Sequence, residues 1–325
     1  MSRFNHMKIE EAYKRIHPHI LKTPLFVSDY VNKITKANVF FKLENLQWTG
    51  SFKLRGALNK ILKLNTDEKD NGVVAYSSGN HGQAVAYASK INQIKAKIIM
   101  PKNAPLIKIK NTKKYGAEVI LYNPATENRE EMGNKLAKEK SYTLIKPYDD
   151  FDIIAGQGTS GKEIAEKLIN LKIKPDIYLC CCGGGGLIAG TSTYLKYKFP
   201  KISCYSVEPE AFNDTEVSLN KNLITPIKKG SKSICDALLA TQPGNITFPI
   251  NRKILNGGFS VSDYEVKKTI IQLSENIKII AEPGGAVAAA ALLNNKIEIK
   301  NKTIVVMISG GNIDRDFFSK IVKEF

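Results

Sequence analysis

The sequence predicts an α/β protein whose mostly parallel sheets carry helices on both faces. Strand-like and helix-like runs alternate along almost the whole chain of 325 residues, of which 43% are hydrophobic. Such a chain can bury a large core and is long enough for two domains. Turns rich in glycine and hydroxyl side chains follow several apolar strands, which is where open α/β sheets bind their ligands.

The predicted strands are rich in Val, Ile and Tyr, and helical patterns lie between most of them. The strands span residues 39–43, 73–77, 97–100, 119–122, 177–182, 204–208 and 303–309. The helical patterns include residues 83–90, 163–171, 189–198 and 286–293, and a further one begins at Lys53.

Two stretches interrupt this alternation. The first cluster of units ends near residue 146, where the polar stretch KPYDDFD predicts a crossing between two lobes. Residues 210–258 combine many turn residues with weak periodicity. They predict a long excursion over the surface or the cleft.

The composition limits the classes of partner. The formal charge is +17, but the lysines are scattered through every segment, and nucleic-acid binding requires a clustered basic face. The apolar runs are shorter than the roughly 20 residues of a membrane span, and the N-terminus lacks the apolar core of a secretory signal. We therefore expect a cytoplasmic protein that binds neither nucleic acid nor a membrane.

Three of the five cysteines, Cys180, Cys181 and Cys182, are adjacent in one predicted strand. Neighbouring side chains of a strand point to opposite faces, so these thiols cannot converge on one metal ion. The spacing matches neither a disulfide framework nor a zinc pattern. The cysteines are therefore predicted to be buried, reduced thiols.

Lys53 begins the helical pattern that follows a Thr-Gly-Ser turn in the stretch ENLQWTGSFKLRGALNKI. Its local sequence leaves two interpretations open. It is either an ordinary solvated lysine of the first helical turn or an amine held at a cleft.

Four consecutive glycines, Gly183 to Gly186, separate an apolar strand from a helix in YLCCCGGGGLIAG. Without side chains, several backbone N–H groups can point at one anion, and the helix adds its positive end. The position between a strand and a helix favours a phosphate cradle over a flexible linker, and no Walker lysine follows. The stretch GQGTSG at residues 156–161 matches a dinucleotide fingerprint by spacing, but its preceding strand is poor, so it is weak evidence for NAD.

Hydroxyl, amide and imidazole groups follow another strand, in VVAYSSGNHGQA. At a helix N-terminus, Ser77, Ser78, Asn80 and His81 form a natural carboxylate site, although plain N-capping would need only one of them. Ser309 likewise ends a strand, before Gly310. Together with a lysine amine and a phosphate cradle, these groups suggest pyridoxal phosphate, which forms a Schiff base with lysine.

Glu208 and Asp214 lie at a further strand end, in SVEPEAFNDTE. Their carboxylates could hold a hard cation such as Mg²⁺ or Ca²⁺. Two acidic residues in a loop are equally consistent with a solvated surface.

The motifs TGSFKLRGA, SSGNHGQAVAYA, IAGQGT, CGGGGL, EPGGA and SGGN occur in this order along nearly the whole chain. In them the chain resembles the serine/threonine dehydratase and serine racemase group of fold-type II pyridoxal-phosphate enzymes. The resemblance implies two open, twisted, mostly parallel sheets, as in tryptophan synthase β. It also implies a large cofactor-binding domain of residues 1–65 and 149–325, a small mobile domain of residues 66–148, and a homodimer.

The resemblance also implies a role for each matching residue. Lys53 binds the cofactor aldehyde and removes the substrate α-proton, while Ser78 lies on the opposite face, where racemases use it as the second acid/base. The implied substrate contacts are Ser77, Ser78, Asn80 and His81, and the implied divalent-cation ligands are Glu208, the backbone oxygen of Phe212, and Asp214. The implied cofactor contacts are Phe52, Lys53, Asn80, Gly183, Gly184, Gly185, Gly186, Leu187, Glu282 and Ser309, and Arg129 matches an arginine of the small domain.

The implied reaction removes the β-hydroxyl of L-threonine or L-serine and releases 2-oxobutanoate or pyruvate with ammonia. The chain ends soon after SGGNID, so we expect no C-terminal regulatory domain and no feedback control by isoleucine. The stretch LLATQPGNITFPI tilts the resemblance towards dehydratases, while Ser78 keeps a racemase open. Sulfhydrylase relatives usually show Asn-Thr-Gly where this chain has Asn80-His81-Gly82, and a non-catalytic binding protein would not need both the lysine and the glycines.

Overall fold

The computed structural model describes residues 4–77, 79–228 and 230–325. Its strands are β1 (Leu25–Val27), β2 (Asn38–Leu43), β3 (Val73–Tyr76), β4 (Ala96–Pro101), β5 (Glu118–Tyr122), β6 (Thr143–Leu144), β7 (Ile177–Cys181), β8 (Ser203–Pro209), β9 (Gly257–Val261) and β10 (Thr303–Ile308). Its helices are α1 (His6–Ile16), α2 (Asp29–Thr35), α3 (Lys53–Ile61), α4 (Thr66–Asn71), α5 (Asn80–Ile91), α6 (Leu106–Lys114), α7 (Arg129–Lys140), α8 (Phe151–Asn170), α9 (Gly186–Lys198), α10 (Asp214–Lys221), α11 (Thr247–Ile254), α12 (Asp263–Gln272), α13 (Pro283–Leu293) and α14 (Arg315–Glu324).

The strands form two sheets. The larger has the order β1-β2-β10-β7-β8-β9 and the smaller the order β5-β4-β3-β6. All neighbouring strands are parallel except β1, which pairs antiparallel with β2. The predicted fold class is therefore confirmed. The smaller sheet lies entirely within the span that the sequence analysis gave to the small domain.

The main core surrounds the central strands of the larger sheet. β7 and β10 are apolar along their length and buried on both faces, as expected of parallel strands covered by helices. The alanine-rich helix α13 packs against both strands, and its residues from Pro283 to Leu292 are all buried. Small alanine side chains allow this close approach of a helix to a sheet. All five cysteines are buried and free, as predicted.

Three strands escaped prediction because each is short or lies at an edge. β1 has three residues, β6 has two, and β9 begins with Gly257 and Gly258. Such strands show little of the apolar alternation on which sequence prediction depends.

Two stretches whose sequence patterns were weak or ambiguous contain regular helices. Residues 210–258, predicted to run over the surface or the cleft, include helices α10 and α11, and Asp236 to Ala240 line the cavity described below. The GQGTSG stretch lies inside helix α8 and not in a turn between a strand and a helix. Its glycines allow close helix packing: an added Cβ at Gly156 would lie 2.5 Å from the Arg55 carbonyl oxygen in α3, and one at Gly161 would lie 2.7 Å from the Thr191 carbonyl oxygen in α9.

Candidate active site

A cavity of about 260 Å³ lies where the strand ends of both sheets meet. The residues that line it include all but one of the described residues expected to contact a cofactor or substrate. These are Phe52, Lys53, Ser77, Asn80, His81, Gly183, Gly184, Gly185, Gly186, Leu187 and Ser309. The loops and strand ends named in the sequence analysis thus converge on one space.

The Lys53 amine lies in this cavity, at the first residue of α3. Its Nζ atom donates a hydrogen bond to the Pro147 carbonyl oxygen at 2.7 Å, and within the described ranges no carboxylate lies within ion-pair distance of it. Burial lowers the pKa of Lys53 to about 8. The structure therefore shows an amine held at a cleft, with a substantial neutral fraction near physiological pH.

This pKa predicts how fast the cofactor-free protein captures pyridoxal phosphate. The rate should rise about tenfold per pH unit up to about pH 8 and then level off, because only the neutral amine attacks an aldehyde. Stopped-flow absorbance measures this rate, and Lys53→Ala should lack the phase. A rate that keeps rising tenfold per unit beyond about pH 9 would show an ordinary solvent-exposed lysine instead.

The four glycines connect β7 to α9, whose N-terminus begins at Gly186. The Thr247 hydroxyl donates to the Gly184 carbonyl oxygen at 2.6 Å, and the Asn251 amide donates to that of Gly185 at 3.2 Å. Gly185 has a φ of +88°, which favours glycine. The loop is thus fixed from α11, and the positive end of α9 makes this side of the cavity suited to an anion.

The glycines are also required sterically. A Cβ added at Gly184 would lie 2.3 Å from the Tyr148 ring, and one at Gly185 would lie 2.6 Å from the Asn251 amide nitrogen. Tyr148 and helix α11 therefore pack directly against this loop. Larger residues would displace the backbone that shapes the anion site.

Asn80 and His81 begin helix α5 and face the cavity. The Asn80 amide donates to Glu282 Oε1 at 2.5 Å and accepts from the Asn312 amide at 2.9 Å, so both of its ends are held. Glu282 is almost fully buried and does not line the cavity. It reaches the cavity through Asn80, so the expected direct contact of Glu282 with the cofactor has no support in this geometry.

The His81 ring is neutral, since burial and the nearby Lys53 lower its pKa to about 3. Its Nε2 atom lies 2.8 Å from the Ile145 carbonyl oxygen, which can only accept, so Nε2 carries the proton. Among the described residues the buried Nδ1 atom, an acceptor, has no hydrogen-bond partner. A carboxylate needs donors, so His81 can help to bind one through its main-chain N–H rather than its ring.

The two candidate serines differ. Ser77 Oγ accepts a hydrogen bond from the Gly79 N–H at 2.9 Å, which is the local capping role considered above. Ser78, the residue expected on the face opposite Lys53, lies outside the described residues.

The candidate cation ligands form a separate site, away from the residues lining the cavity. Glu208 and Asp214 are buried rather than solvated. The two Glu208 oxygens accept from the Thr215 and Glu216 N–H groups at 2.9 and 2.8 Å, whereas neither buried Asp214 oxygen has a hydrogen-bond partner in the part of the chain that the structure describes. Burial raises the pKa of Asp214 to about 7 and that of Glu208 well above its usual value, with Asp214 adding to the latter.

Sequence reasoning missed Tyr148, Asp236, Thr247 and Asn251, which shape the cavity from segments of weak pattern. It also missed Lys108, a completely buried lysine of α6. Nothing in the local sequence LIKIKNTKK distinguishes Lys108 from its exposed neighbours.

Comparison with known proteins places this site in a family. The family model described as "Pyridoxal-phosphate dependent enzyme" matches residues 16–310. The chain is 38% identical to an L-threo-3-hydroxyaspartate ammonia-lyase of Saccharomyces cerevisiae, covering 96% of this chain and 94% of that protein. It is 40% identical to a serine racemase of Schizosaccharomyces pombe, covering 97% and 96%, and 39% identical to a catabolic L-threonine dehydratase of Staphylococcus aureus, covering 97% and 91%.

Solved structures agree with this assignment. The T.th. threonine deaminase superposes with a TM-score of 0.90 at 36% identity, covering 95% of this chain and 99% of that one. The serine racemase of Dictyostelium discoideum superposes with a TM-score of 0.86 at 38% identity, covering 96% and 99%. The chain therefore belongs to the pyridoxal-phosphate dependent enzymes of fold type II, as the resemblance of its motifs predicted.

Proposed function

We propose that this enzyme is an ammonia-lyase that converts L-threonine or L-serine to 2-oxobutanoate or pyruvate and ammonia. The observation that carries the proposal is the placement of the Lys53 amine in one cavity with the glycine loop and the N-terminus of α5. An amine, an anion site and a carboxylate site in this arrangement suit a phosphate-bearing aldehyde and an amino acid together.

The cavity residues fit pyridoxal phosphate. The loop from Gly183 to Leu187 would hold its phosphate, because four of its five residues are glycines and it leads into the positive end of α9. Lys53 would bind its aldehyde, and Phe52, Asn80 and Ser309 would contact its ring. When bound, the cofactor supplies an electrophilic carbonyl and an electron sink for the bond that breaks at the substrate α-carbon.

The protein groups then have distinct tasks. The N–H groups at the start of α5 orient the substrate carboxylate. Lys53 Nζ takes the α-proton, for which a pKa of about 8 is well matched at neutral pH. Tyr148 covers the glycine loop and keeps bulk water from it. The β-hydroxyl then leaves as water, taking up the proton that Lys53 removed from the α-carbon, and a water molecule hydrolyses the released enamine to oxoacid and ammonia.

Serine racemisation is the alternative activity. It requires a second acid/base on the face opposite Lys53, and Ser78 is our candidate for that residue. Curated relatives of similar identity include both lyases and racemases.

A specific observation favours L-threo-3-hydroxyaspartate as a further substrate. Arg129 lines the cavity beside Tyr148, with its guanidinium 5.8 Å from the centre of the Tyr76 ring. Within the described ranges no carboxylate lies within ion-pair distance of Arg129. A free guanidinium in the cavity wall would suit the second carboxylate of this substrate.

One NMR time course tests these activities together. The protein with pyridoxal phosphate is incubated separately with L-threonine, L-serine and L-threo-3-hydroxyaspartate, and oxoacid, ammonia and D-amino acid are followed. Oxoacid and ammonia without early D-amino acid support the lyase. D-serine that precedes pyruvate supports the racemase, and no product from any substrate contradicts both.

We propose that Glu208, the Phe212 carbonyl oxygen and Asp214 bind Mg²⁺ or Ca²⁺. Burial raises both carboxyl pKa values, so the folded protein binds more protons than the unfolded one. The free energy of unfolding therefore falls as the pH rises from about 4 through about 7, where Asp214 loses its proton. A bound cation would offset this loss. We expect either cation to raise the melting temperature at about pH 8 and to have little effect at about pH 5.

The double variant Glu208→Gln/Asp214→Asn is the control for this prediction. It should be more stable at about pH 8 without cation and should no longer respond to it. An equal response of the variant, or no response of the native protein at about pH 8, would exclude this site.

We further propose that the enzyme is a cytoplasmic homodimer whose residues 66–148 move as a small domain. Leu46, Trp48 and Ile280 are about half exposed, and the Asn45 amide donates to the Ile280 carbonyl oxygen, so the segment that carries Leu46 and Trp48 meets the one that carries Ile280. Such a patch suits a subunit contact. Light scattering at several protein concentrations tests the dimer.

Among the helices of residues 4–77, 79–228 and 230–325, none combines the length and the apolar character of a membrane span.

A further inference from the structure

Lys108 is completely buried and joins two parts of the fold that meet at the cavity. It lies on α6, between β4 and β5 of the smaller sheet. Its Nζ atom lies 2.7 Å from Glu282 Oε2 and 2.6 Å from Asp236 Oδ2, both of which belong to segments around the larger sheet. A buried ion cluster of this kind is costly to desolvate, so its location beside the cavity calls for an explanation.

The cluster continues to a side chain that faces the cavity. Glu282 has one oxygen on Lys108 and the other on the Asn80 amide at 2.5 Å. The side-chain oxygen of Asn80, Oδ1, accepts from the Asn312 amide, which also donates to the Thr49 backbone carbonyl oxygen at 2.9 Å. Glu282 thus fixes which end of the Asn80 amide is the donor, and Lys108 is the cation that faces Glu282.

Backbone contacts hold Lys108 in place. The Asp314 carboxylate accepts from the Leu106 and Ile107 N–H groups at 3.0 and 2.8 Å, which caps the start of α6. The aliphatic chain of Lys108 passes beneath Gly79, where an added Cβ would lie 2.0 Å from Lys108 Cδ. A side chain at position 79 would therefore collide with Lys108, and Gly79 leaves room for the Lys108 side chain to reach Glu282.

The charges facing Glu282 explain why a cation is needed. They come from Lys108 on α6 and Asp236 in the segment before α11, while Asn80 on α5 contributes a neutral amide and the Cys181 thiol lies nearby. Burial and Asp236 both raise the pKa of Glu282, and Lys108 opposes them. Without Lys108, Glu282 would be a buried carboxylate beside a second carboxylate. It would then take up a proton, which weakens its hydrogen bond with the Asn80 amide, or move, which releases that amide.

We propose that Lys108 is a positioning residue, which acts through Glu282 to fix the Asn80 amide against the cofactor ring. This proposal rests on the proposed function only in that Asn80 contacts the cofactor. Lys108 is not among the residues that line the cavity, so we expect it to act through Glu282 and not by touching a ligand.

A double-variant cycle tests the proposal. Lys108→Met removes the cation with little change in shape, Glu282→Gln removes the buried negative charge but keeps an acceptor for Asn80, and the double variant combines them. Lys110→Met, an exposed lysine on the same helix, is the matched control and should behave as the native protein. The readouts are the apparent affinity for pyridoxal phosphate, the absorption spectrum of the bound cofactor, and kcat and KM.

We expect Lys108→Met to weaken cofactor affinity and lower kcat by about tenfold or more and to shift the cofactor absorption, as is usual when the partner of a ligand-orienting group is lost. In the Glu282→Gln background the same change should cost less than about threefold, because no buried charge is left uncompensated. An equal loss in both backgrounds, or a lower melting temperature with unchanged spectrum and affinity, would mean that Lys108 only stabilises the fold.

If Lys108→Met alone does not fold, the comparison of Glu282→Gln with the double variant still decides. A small difference supports positioning through Glu282, and a large one overturns it. Cofactor affinity and spectrum need no substrate, so they test Lys108 even if the native enzyme forms no product from the three amino acids. A native enzyme that forms no product would contradict the proposed function, and the double-variant cycle would still test the role of Lys108.

Discussion

Replacing Lys53 by alanine should lower product formation by roughly 10²–10⁴-fold, which is the usual loss for a positioned acid–base group. The Lys53 amine lies in the cavity at the start of α3, and burial lowers its pKa to about 8. A steady-state assay of oxoacid release measures the effect.

The folded structure should survive this change. The Lys53 side chain donates a hydrogen bond to the Pro147 carbonyl oxygen, and loss of such a bond costs about 1 kcal/mol. Lys110→Ala is the control, since Lys110 is exposed. If Lys53→Ala kept more than about a tenth of native activity while the control was unaffected, Lys53 would not be the base.

Replacing Arg55 by methionine should lower the free energy of unfolding by about 3–5 kcal/mol, because it leaves buried carboxylates without their main cation. Arg55 donates to Glu44 at 2.8 Å and to Glu163 at 2.8 Å, and all three side chains are buried. Lys42, 2.6 Å from Glu163, would be the remaining cation of this cluster. Urea unfolding of the native protein and the variant measures the difference.

The loss should depend on pH in a defined direction. Burial alone would raise the pKa of Glu44, but Arg55 and Lys42 lower it to about 2. A lowered carboxyl pKa stabilises the fold above its unfolded value of about 4.5, and the stabilisation is lost as the pH falls from there towards 2. The deficit of Arg55→Met should therefore be larger at about pH 7 than at about pH 4.

Lys63→Met is the matched control for this cluster. Lys63 forms an ion pair with Asp152, but its side chain is 44% exposed. A pair of this kind contributes about 0–1 kcal/mol. If Arg55→Met and Lys63→Met lowered the free energy of unfolding by the same small amount, the buried ion pairs that join α3 to α8 would not stabilise the fold as proposed.

The parts of the site that lie at strand ends could be predicted from the sequence. Gly183 to Gly186 follow the apolar strand β7, Lys53 follows a turn after β2, and the structure brings both to one cavity. Parallel strands make this possible, because their carboxyl ends share one edge of the sheet. The positions of these motifs after strands therefore predicted which residues lie together in the cavity.

The side chains that support the site could not be predicted in this way. Lys108 and Glu282 are 174 residues apart in the chain, and no local pattern links them. The contacts of Thr247 and Asn251 with the glycine loop come from α11, inside a stretch whose periodicity was too weak to show a helix. Such pairings depend on tertiary packing, which local propensity does not encode.

The most direct test of the site is to identify the residue that binds the cofactor. The protein is incubated with pyridoxal phosphate, reduced with borohydride to fix any lysine adduct, digested and mapped by mass spectrometry. We expect the pyridoxyl group on the peptide that contains Lys53, and we expect no pyridoxyl-labelled peptide from the Lys53→Ala variant. A pyridoxyl group on another lysine, or on none, would contradict it.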